Sequence, residues 1–243
     1  MKVFPAFASL LFFQMFFGTS CDVISDRRVN GSGNVITTER NINAFQRLDL
    51  QGSMDVYLTQ GPVKPAVIVA EDNIIPFIEL IDKGGELEVR FKHDTRINSD
   101  KDIKIYLSSP AINEVRLSGS GGIRLENKFS AEGMMQFTSV GSGDISGVIN
   151  APQVKASIAG SGNVKLQGET REMDVNIAGS GDYEGGELMA ENVTVNIAGS
   201  GDAKVHASVK LDARIVGSGD VKYKGTPQIS SNIIGSGVVQ KND

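Results

Sequence analysis

Apolar and polar residues alternate along the second half of the chain, and each alternating run ends at a Gly-Ser-Gly triplet. In the run before Gly199, the sixth, fourth and second positions before the triplet are Val193, Val195 and Ile197. The intervening positions are mostly polar, as at Asn196. A period of two is typical of a strand with one buried face, so each run predicts one strand.

The triplet recurs, and its spacing reveals how the chain is organised. Copies begin at Gly31, Gly119, Gly141, Gly160, Gly179, Gly199, Gly217 and Gly235, and from Gly119 onward they are 22, 19, 19, 20, 18 and 18 residues apart. Such a short unit cannot bury its apolar face alone, whereas stacked units can pair equivalent strands around a common core. We therefore predict an all-β fold, a right-handed parallel β-helix (β-solenoid) with coils of about 19 residues.

Other all-β architectures explain the pattern less well. A β-sandwich also has short strands at regular intervals, but it does not account for nearly identical turns at a fixed period. A β-propeller needs repeats of about 40 residues.

The triplet suits a tight turn because Gly accepts positive φ and Ser bonds to nearby backbone. A short second strand follows each triplet, as at Asn163–Leu166, and a further turn is predicted before the next copy.

Residues 1–20 are predicted to be a lipoprotein signal peptide outside the fold. Lys2 precedes the apolar run Val3–Phe17, which is too short to span a membrane. Cys21 is the only cysteine and follows small residues at the end of that run, a position that resembles the acylated cysteine of bacterial lipoproteins. We predict lipid attachment at Cys21, because several acyl chains together hold a protein stably on a membrane.

The remaining chain divides into three stretches. Residues 21–44 are polar and predict a tether. Residues 45–115 predict an irregular β region continuous with the solenoid. Within it, the apolar stretch 74–81 predicts a short helix, and the polar stretch 92–102 predicts an exposed loop. Residues 116–240 predict the regular solenoid.

Several features together resemble a known family. They are the lipoprotein-type signal, the degenerate repeat Leu-Asp-Leu-Gln-Gly-Ser-Met-Asp-Val-Tyr-Leu (48–58) and the later Ile-x-Gly-Ser-Gly-Asp coils. They resemble the putative auto-transporter adhesin, head GIN domain family of Bacteroidetes-type bacteria. The resemblance implies a β-helical protein of the cell envelope and supplies no catalytic residues. Together with the anchor predicted at Cys21, it makes the outer membrane the expected location. A surface glycan or an envelope protein is the expected partner.

Composition and residue spacing exclude several function classes. The chain has 24 Lys and Arg against 29 Asp and Glu, a formal net charge of −5, and no basic patch, which argues against a nucleic-acid partner. His93 and His206 are the only histidines, and neither has a Ser or Cys partner nearby in sequence. No spacing suits zinc. We therefore expect a non-catalytic binding or structural module with no catalytic residue, cofactor or metal.

A carbohydrate-active enzyme of the polysaccharide lyase or hydrolase type is the alternative. Some β-helix enzymes cleave acidic polysaccharides with Arg, Lys and Asp on an outer face. The residues here that could act in this way are Arg116, Lys155, Asp174, Asp212 and Arg214. Ordinary solvated faces of a solenoid explain the same residues more simply, and an aromatic content of 6% disfavours a sugar-binding groove.

Acidic residues directly follow several of the triplets. They are Asp144, Asp182, Asp202 and Asp220, and Asn163 takes the same place in one copy. In a solenoid these side chains would stack, and the column would either bind a cation such as Ca²⁺ or accept backbone N–H groups at the turns. We expect the hydrogen bonds, since the ligand count is low for Ca²⁺ and Asn163 removes a charge.

Overall fold

The computed structural model describes residues 27–242, and most of them lie in β-strands. The predicted signal peptide and Cys21 lie outside the described residues. The strands are β1 (Arg27–Asn30), β2 (Val35–Arg40), β3 (Arg47–Gly52), β4 (Asp55–Gln60), β5 (Ala66–Glu71), β6 (Ile78–Asp82), β7 (Glu86–Phe91), β8 (Thr95–Asn98), β9 (Lys104–Ser109), β10 (Glu114–Gly119), β11 (Gly122–Ser130), β12 (Met134–Gly141), β13 (Asp144–Gly160), β14 (Val164–Gly179), β15 (Tyr183–Gly199), β16 (Ala203–Gly217), β17 (Val221–Lys224), β18 (Gln228–Gly235) and β19 (Val239–Lys241). Across residues 27–242, no helix is long and apolar enough to cross a membrane.

Two stacks of parallel strands form the body of the protein. The first stack runs in the spatial order β7, β3, β10, β12, β13, β14, β15, β16 and β18. The second runs β9, β4, β11, β13, β14, β15, β16, β17 and β19. Strands β13–β16 belong to both stacks, because each runs unbroken for 15 to 17 residues. The predicted β-solenoid is confirmed.

The second turn predicted within each coil is replaced in β13–β16 by a bend inside a continuous strand. Pairing between β14 and β15 shifts register between Lys165 and Gln167. Shortly afterwards, Gly168 adopts a φ of +116°. A Cβ at Gly168 would lie 2.0 Å from the carbonyl oxygen of Ile149 in the neighbouring coil, so glycine permits the bend to stack closely.

The predicted alternation assigns the side chains of the central coils to the correct faces. Val195 and Ile197 point into the core and are buried, whereas Asn196 between them lies half-buried on the outer face. Ser139 occupies the same inward position as Ile197, two residues before its triplet, and its hydroxyl donates to the carbonyl oxygen of Gly143 at 2.8 Å. That bond satisfies the one polar side chain of the inward column in β10–β16, which lets it remain buried.

The N-terminal strands continue the same column at its other end. β3 pairs in parallel with β10 and aligns Gly52 with Gly119, so residues 47–60 form one more coil in the same register. Strands β7 and β9 form the coil beneath it. Antiparallel strands then cover this coil, with β6 on β7 and with β5 on β9, and β2 pairs with β5.

The prediction of a tether is wrong for residues 27–40, because strands β1 and β2 lie in this stretch. β1 pairs with β8, and β2 pairs with β5. The segment between β1 and β2 is also held by hydrogen bonds, since the Nδ2 of Asn34 donates to Asp72 at 2.9 Å. The guanidinium of Arg40 donates to the carbonyl oxygen of Ile75 at 2.7 Å. The polar composition suggested a tether because the attachment is largely polar.

Two further local predictions in the N-terminal region hold only in part. The stretch 92–102 is not only a loop, because it contains β8, paired in parallel with β1. The stretch 74–81 forms a single 3₁₀ turn, Ile75–Phe77, and then enters β6. Pro76 suits the first turn of a helix, and the following residues pair with β7 instead of continuing it.

The first glycine of each triplet is required by the close contact between coils. Gly179 has a φ of +130°, and a Cβ there would lie 2.3 Å from the carbonyl oxygen of Gly160. That same carbonyl accepts the backbone N–H groups of Ser180 at 2.8 Å and Gly181 at 3.0 Å. Equivalent glycines have φ values of +116° to +138° and meet the same obstacle: Gly119, Gly141, Gly160, Gly199, Gly217 and Gly235.

We predict that Gly179→Ala destabilises the protein by about 3 kcal/mol, because the methyl group meets a backbone oxygen and the backbone conformation is strained for alanine. Urea unfolding followed by circular dichroism measures the loss. Ser180→Ala is the matched control, since Ser180 is exposed in the same turn and its replacement should change stability by less than about 0.5 kcal/mol. Equal losses for the two variants would contradict the steric requirement.

Candidate functional site

An exposed apolar column runs along the outer face of the first stack. It consists of the residues that directly precede the triplets, Val140, Ala159, Ala178, Ala198, Val216 and Ile234, which the strand register places side by side. Val140, Val216 and Ile234 are 44%, 55% and 65% exposed. The sequence analysis missed this column. Alternation predicts only that these positions face solvent, and it does not indicate that apolar residues there lie side by side.

A groove of about 530 Å³ lies beside this column and spans the five strands from β12 to β16. Its volume falls in the range of about 300–1,000 Å³ typical of ligand sites. Its apolar side is lined by Ala159, Ala178, Ala198 and Val216. Its polar side is lined by Thr138, Ser157, Asn176, Asn196 and Arg214. Since strands lie about 4.8 Å apart, the four steps from Thr138 to Arg214 make the groove about 19 Å long.

Hydrogen bonds order the polar side of the groove. The Nδ2 of Asn176 donates to the Oδ1 of Asp174 at 2.9 Å. The Nδ2 of Asn196 donates in turn to the Oδ1 of Asn176 at 3.1 Å. Arg214 is the only charged residue among the described residues that line the groove, and it pairs with Asp212 at 3.6 Å with its side chain 60% exposed. The groove therefore combines an apolar side, a polar side with two hydroxyls and two amides, and one cation at its β16 end.

The five residues considered for polysaccharide cleavage lie on this face, but they do not converge. Arg116 and Arg214 occupy the same outward column five strands apart, a separation of about 24 Å. Arg116 instead pairs with Glu114 of its own strand at 3.1 Å. Lys155 and Asp174 are neighbours in the register, and Asp212 lies two strands beyond Asp174. Within the described chain, these residues do not surround a common point where a bond could be cleaved.

The two histidines lie in different settings. His93 is exposed in the turn after β7 and contacts the guanidinium of Arg90. His206 lies half-buried in β16. Among residues 27–242, neither ring hydrogen-bonds to a hydroxyl or a thiol.

The aspartate column forms a hydrogen-bond ladder between coils. The Oδ1 of Asp182 accepts the backbone N–H of Asp202 at 2.8 Å, and the Oδ1 of Asp202 accepts that of Asp220 at 2.8 Å. Asp144 and Asn163 act in the same way at 2.9 and 3.1 Å. The expected bonds to backbone are present, and each runs to the equivalent residue of the next coil. Asn163 fits because an amide oxygen accepts the same bond.

The ladder is interrupted at Gly122, which has no side-chain acceptor for the next coil. Asp55 lies one coil earlier, and the backbone N–H of Gly122 donates to the carbonyl oxygen of Met54 at 3.2 Å. Burial, and then the charge of nearby Asp102, raise the pKa of Asp55 above its usual value. Asp144 therefore starts a new ladder, separate from Asp55.

A second acidic group lies at the N-terminal end of the first stack. Asp49, Glu86 and Glu88 place carboxylate oxygens within 4.8 Å of one another. Arg47 pairs with Glu86 at 3.3 Å, and Arg90 pairs with Glu88 at 3.0 Å. Lys83 also pairs with Glu88, so three cations of the protein lie beside the three carboxylates and offset their charge.

Comparisons with known proteins agree on fold and family. The family model described as "Putative auto-transporter adhesin, head GIN domain" matches residues 44–227. No curated protein matches the chain. The crystal structure of a putative adhesin from Bacteroides fragilis NCTC 9343 is 26% identical with a TM-score of 0.82, and the match covers 88% of this chain and 100% of that one.

Two crystal structures from Parabacteroides are also similar. A putative lipid binding protein from Parabacteroides distasonis ATCC 8503 is 26% identical with a TM-score of 0.72, over 89% of this chain and 100% of that one. A putative adhesin from Parabacteroides merdae ATCC 43184 is 23% identical with a TM-score of 0.73, over 89% and 100%. The second of these supports the fold alone, because its identity is low.

We predict that Asp202→Ala lowers the free energy of unfolding by about 1 kcal/mol, because the N–H of Asp220 loses its acceptor. Asp202→Asn is the control and should change stability by less than about 0.5 kcal/mol, as the natural Asn163 indicates. Urea unfolding of both variants measures the difference. If the asparagine variant lost as much stability as the alanine variant, negative charge rather than hydrogen bonding would be the stabilising property of the column.

We also predict that EDTA leaves the melting temperature of the residue 27–242 domain unchanged, because backbone N–H groups already engage the carboxylates of the column. Differential scanning calorimetry with and without the chelator measures this. A large fall in melting temperature that Ca²⁺ restores would show that the column binds a cation.

Proposed function

The chain belongs to the putative auto-transporter adhesin, head GIN domain family, and on that basis we propose that it is a non-catalytic, adhesin-like binding module of the cell envelope, held on a lipid anchor, whose ligand occupies the groove on the first stack. The exposed apolar column from Val140 to Ile234 carries the proposal. Apolar side chains on an outer face are exposed to water and lie outside the core. Covering them with a ligand is favourable, because it removes apolar surface from water.

The chemistry of the groove favours an apolar ligand over a polar one. One side is alanine and valine, and the polar side carries four uncharged side chains and a single charged one, Arg214. One similar crystal structure is that of a putative lipid binding protein, which supports a lipid as the class of ligand. A surface glycan would need more hydrogen-bonding groups and aromatic surface than this groove offers. The scattered positions of Arg116, Lys155 and Asp212 give the alternative of a polysaccharide-cleaving enzyme no support.

The anchor in this proposal is Cys21, which is acylated and becomes the new N-terminus when residues 1–20 are removed. The single cysteine at the end of a 15-residue apolar run supports this assignment. Several acyl chains on one residue hold a protein stably on a membrane, which one chain does not. The solenoid would then be presented at the outer membrane, with the groove on its side.

We expect Cys21→Ala to release the protein from the membrane fraction, or to leave the signal peptide uncut, because acylation and cleavage both need the thiol. Cell fractionation followed by mass spectrometry of the N-terminus distinguishes the two results. Recovery of a fully processed variant in the membrane fraction would contradict anchoring through Cys21.

We expect Ala178→Asp to weaken binding of the neutral apolar dye Nile red at least tenfold, because it places a carboxylate on the apolar side of the groove. Fluorescence titration measures the affinity. Ser118→Asp is the matched control, since Ser118 holds the same outward position in β10, outside the groove. The proposed binding surface would be contradicted if the wild-type protein did not bind the dye, or if the two variants bound it equally.

A further inference from the structure

The width of the groove limits what can occupy it. The groove lies between outward side chains two residues apart along each strand, a distance of about 7 Å. A helix with its side chains is about 10–12 Å across and would rest on the rims. Stable protein interfaces bury about 800 Å² on each partner, far more than a column one residue wide provides. The groove therefore fits one extended chain.

The length of the groove matches one lipid tail. The hydrocarbon core of a bilayer is about 30 Å thick and contains two layers of tails, so one tail extends about 15 Å. The groove is about 19 Å long from Thr138 to Arg214. A tail laid along Ala159, Ala178 and Ala198 would thus leave room for a small head group at one end.

The charge at the β16 end indicates the nature of that head group. Arg214 is the one charged side chain among the described residues of the lining. The distance between Arg214 and Asp212 is long for an ion pair, at 3.6 Å, and the Arg214 side chain is 60% exposed. The pair is therefore weak, and Asp212 competes little with an anionic ligand for the guanidinium. A guanidinium presents a planar pair of donors that matches a carboxylate. At the β12 end, Thr138 and Val140 offer no charge.

We propose that the groove binds a single-chain anionic amphiphile of the fatty-acid type, with its tail along the alanine column and its carboxylate on Arg214. This inference rests on the proposed function, since it assumes that the groove is the binding surface. It adds the class of the ligand and its orientation: the head lies at β16 and the tail points towards β12.

Displacement of Nile red by laurate and by 1-dodecanol tests the proposal. The two probes have the same chain, but only laurate carries a charge. We expect laurate to bind about tenfold more tightly than dodecanol, because of one charge-assisted contact to Arg214. Arg214→Gln should remove that tenfold advantage and leave the affinity for dodecanol unchanged. Raising the salt concentration should weaken laurate binding alone, because the contact is exposed.

Arg116→Gln is the matched control. Arg116 holds the same outward position in β10 and has the same kind of acidic partner, but it lies outside the groove. It should leave both affinities unchanged. Equal affinities for laurate and dodecanol, with no effect of Arg214→Gln, would overturn the assignment of the head group while Nile red binding upheld the proposed function. Failure of both probes to displace the dye would overturn the fatty-acid class.

Discussion

The structure depends on the close approach of one glycine to the carbonyl oxygen of the coil beneath it. A Cβ on the first glycine of a triplet would lie 2.0–2.5 Å from that oxygen along the whole column from Gly119 to Gly235. Most of these oxygens also accept two backbone N–H groups from the next triplet, as Gly141 does from Ser161 and Gly162, and the oxygens of Gly199 and Gly217 accept one. Contact this close holds each coil in one register on its neighbour. Each remaining position of the repeat therefore stacks on the equivalent position of the next coil.

Columns, rather than individual residues, consequently determine the properties of this protein. The inward columns form the core, in which Ile158, Ile177 and Ile197 lie above one another. The column after the triplets forms a ladder of hydrogen bonds between carboxylates and backbone. The outward column before the triplets forms an apolar stripe, and the groove follows from it. Residues of one column can still have different surroundings. Arg116 and Arg214 hold the same position of the repeat, but only Arg214 lines the groove.

The repeat made the solenoid predictable, because period-two alternation and invariant glycines both follow directly from stacking. Ile197 and Asn196 were assigned to the correct faces for that reason. Strands β1 and β8 were not predictable, since their pairing joins polar segments more than 60 residues apart in sequence. The groove was hidden for a different reason: Ala159, Ala178 and Ala198 are unremarkable singly. They form a continuous apolar surface only when the register brings them side by side.

The central claim is that the outer face of the first stack is a binding surface for an apolar chain. Methyl NMR of alanine-labelled protein, titrated with laurate, tests it most directly. The account predicts shifts of the Ala159, Ala178 and Ala198 methyl resonances, while those of Ala156 in β13 and Ala213 in β16, which are buried in the core, remain in place. Shifts confined to alanines outside the groove, or saturation of laurate without any shift in these three methyl groups, would contradict it.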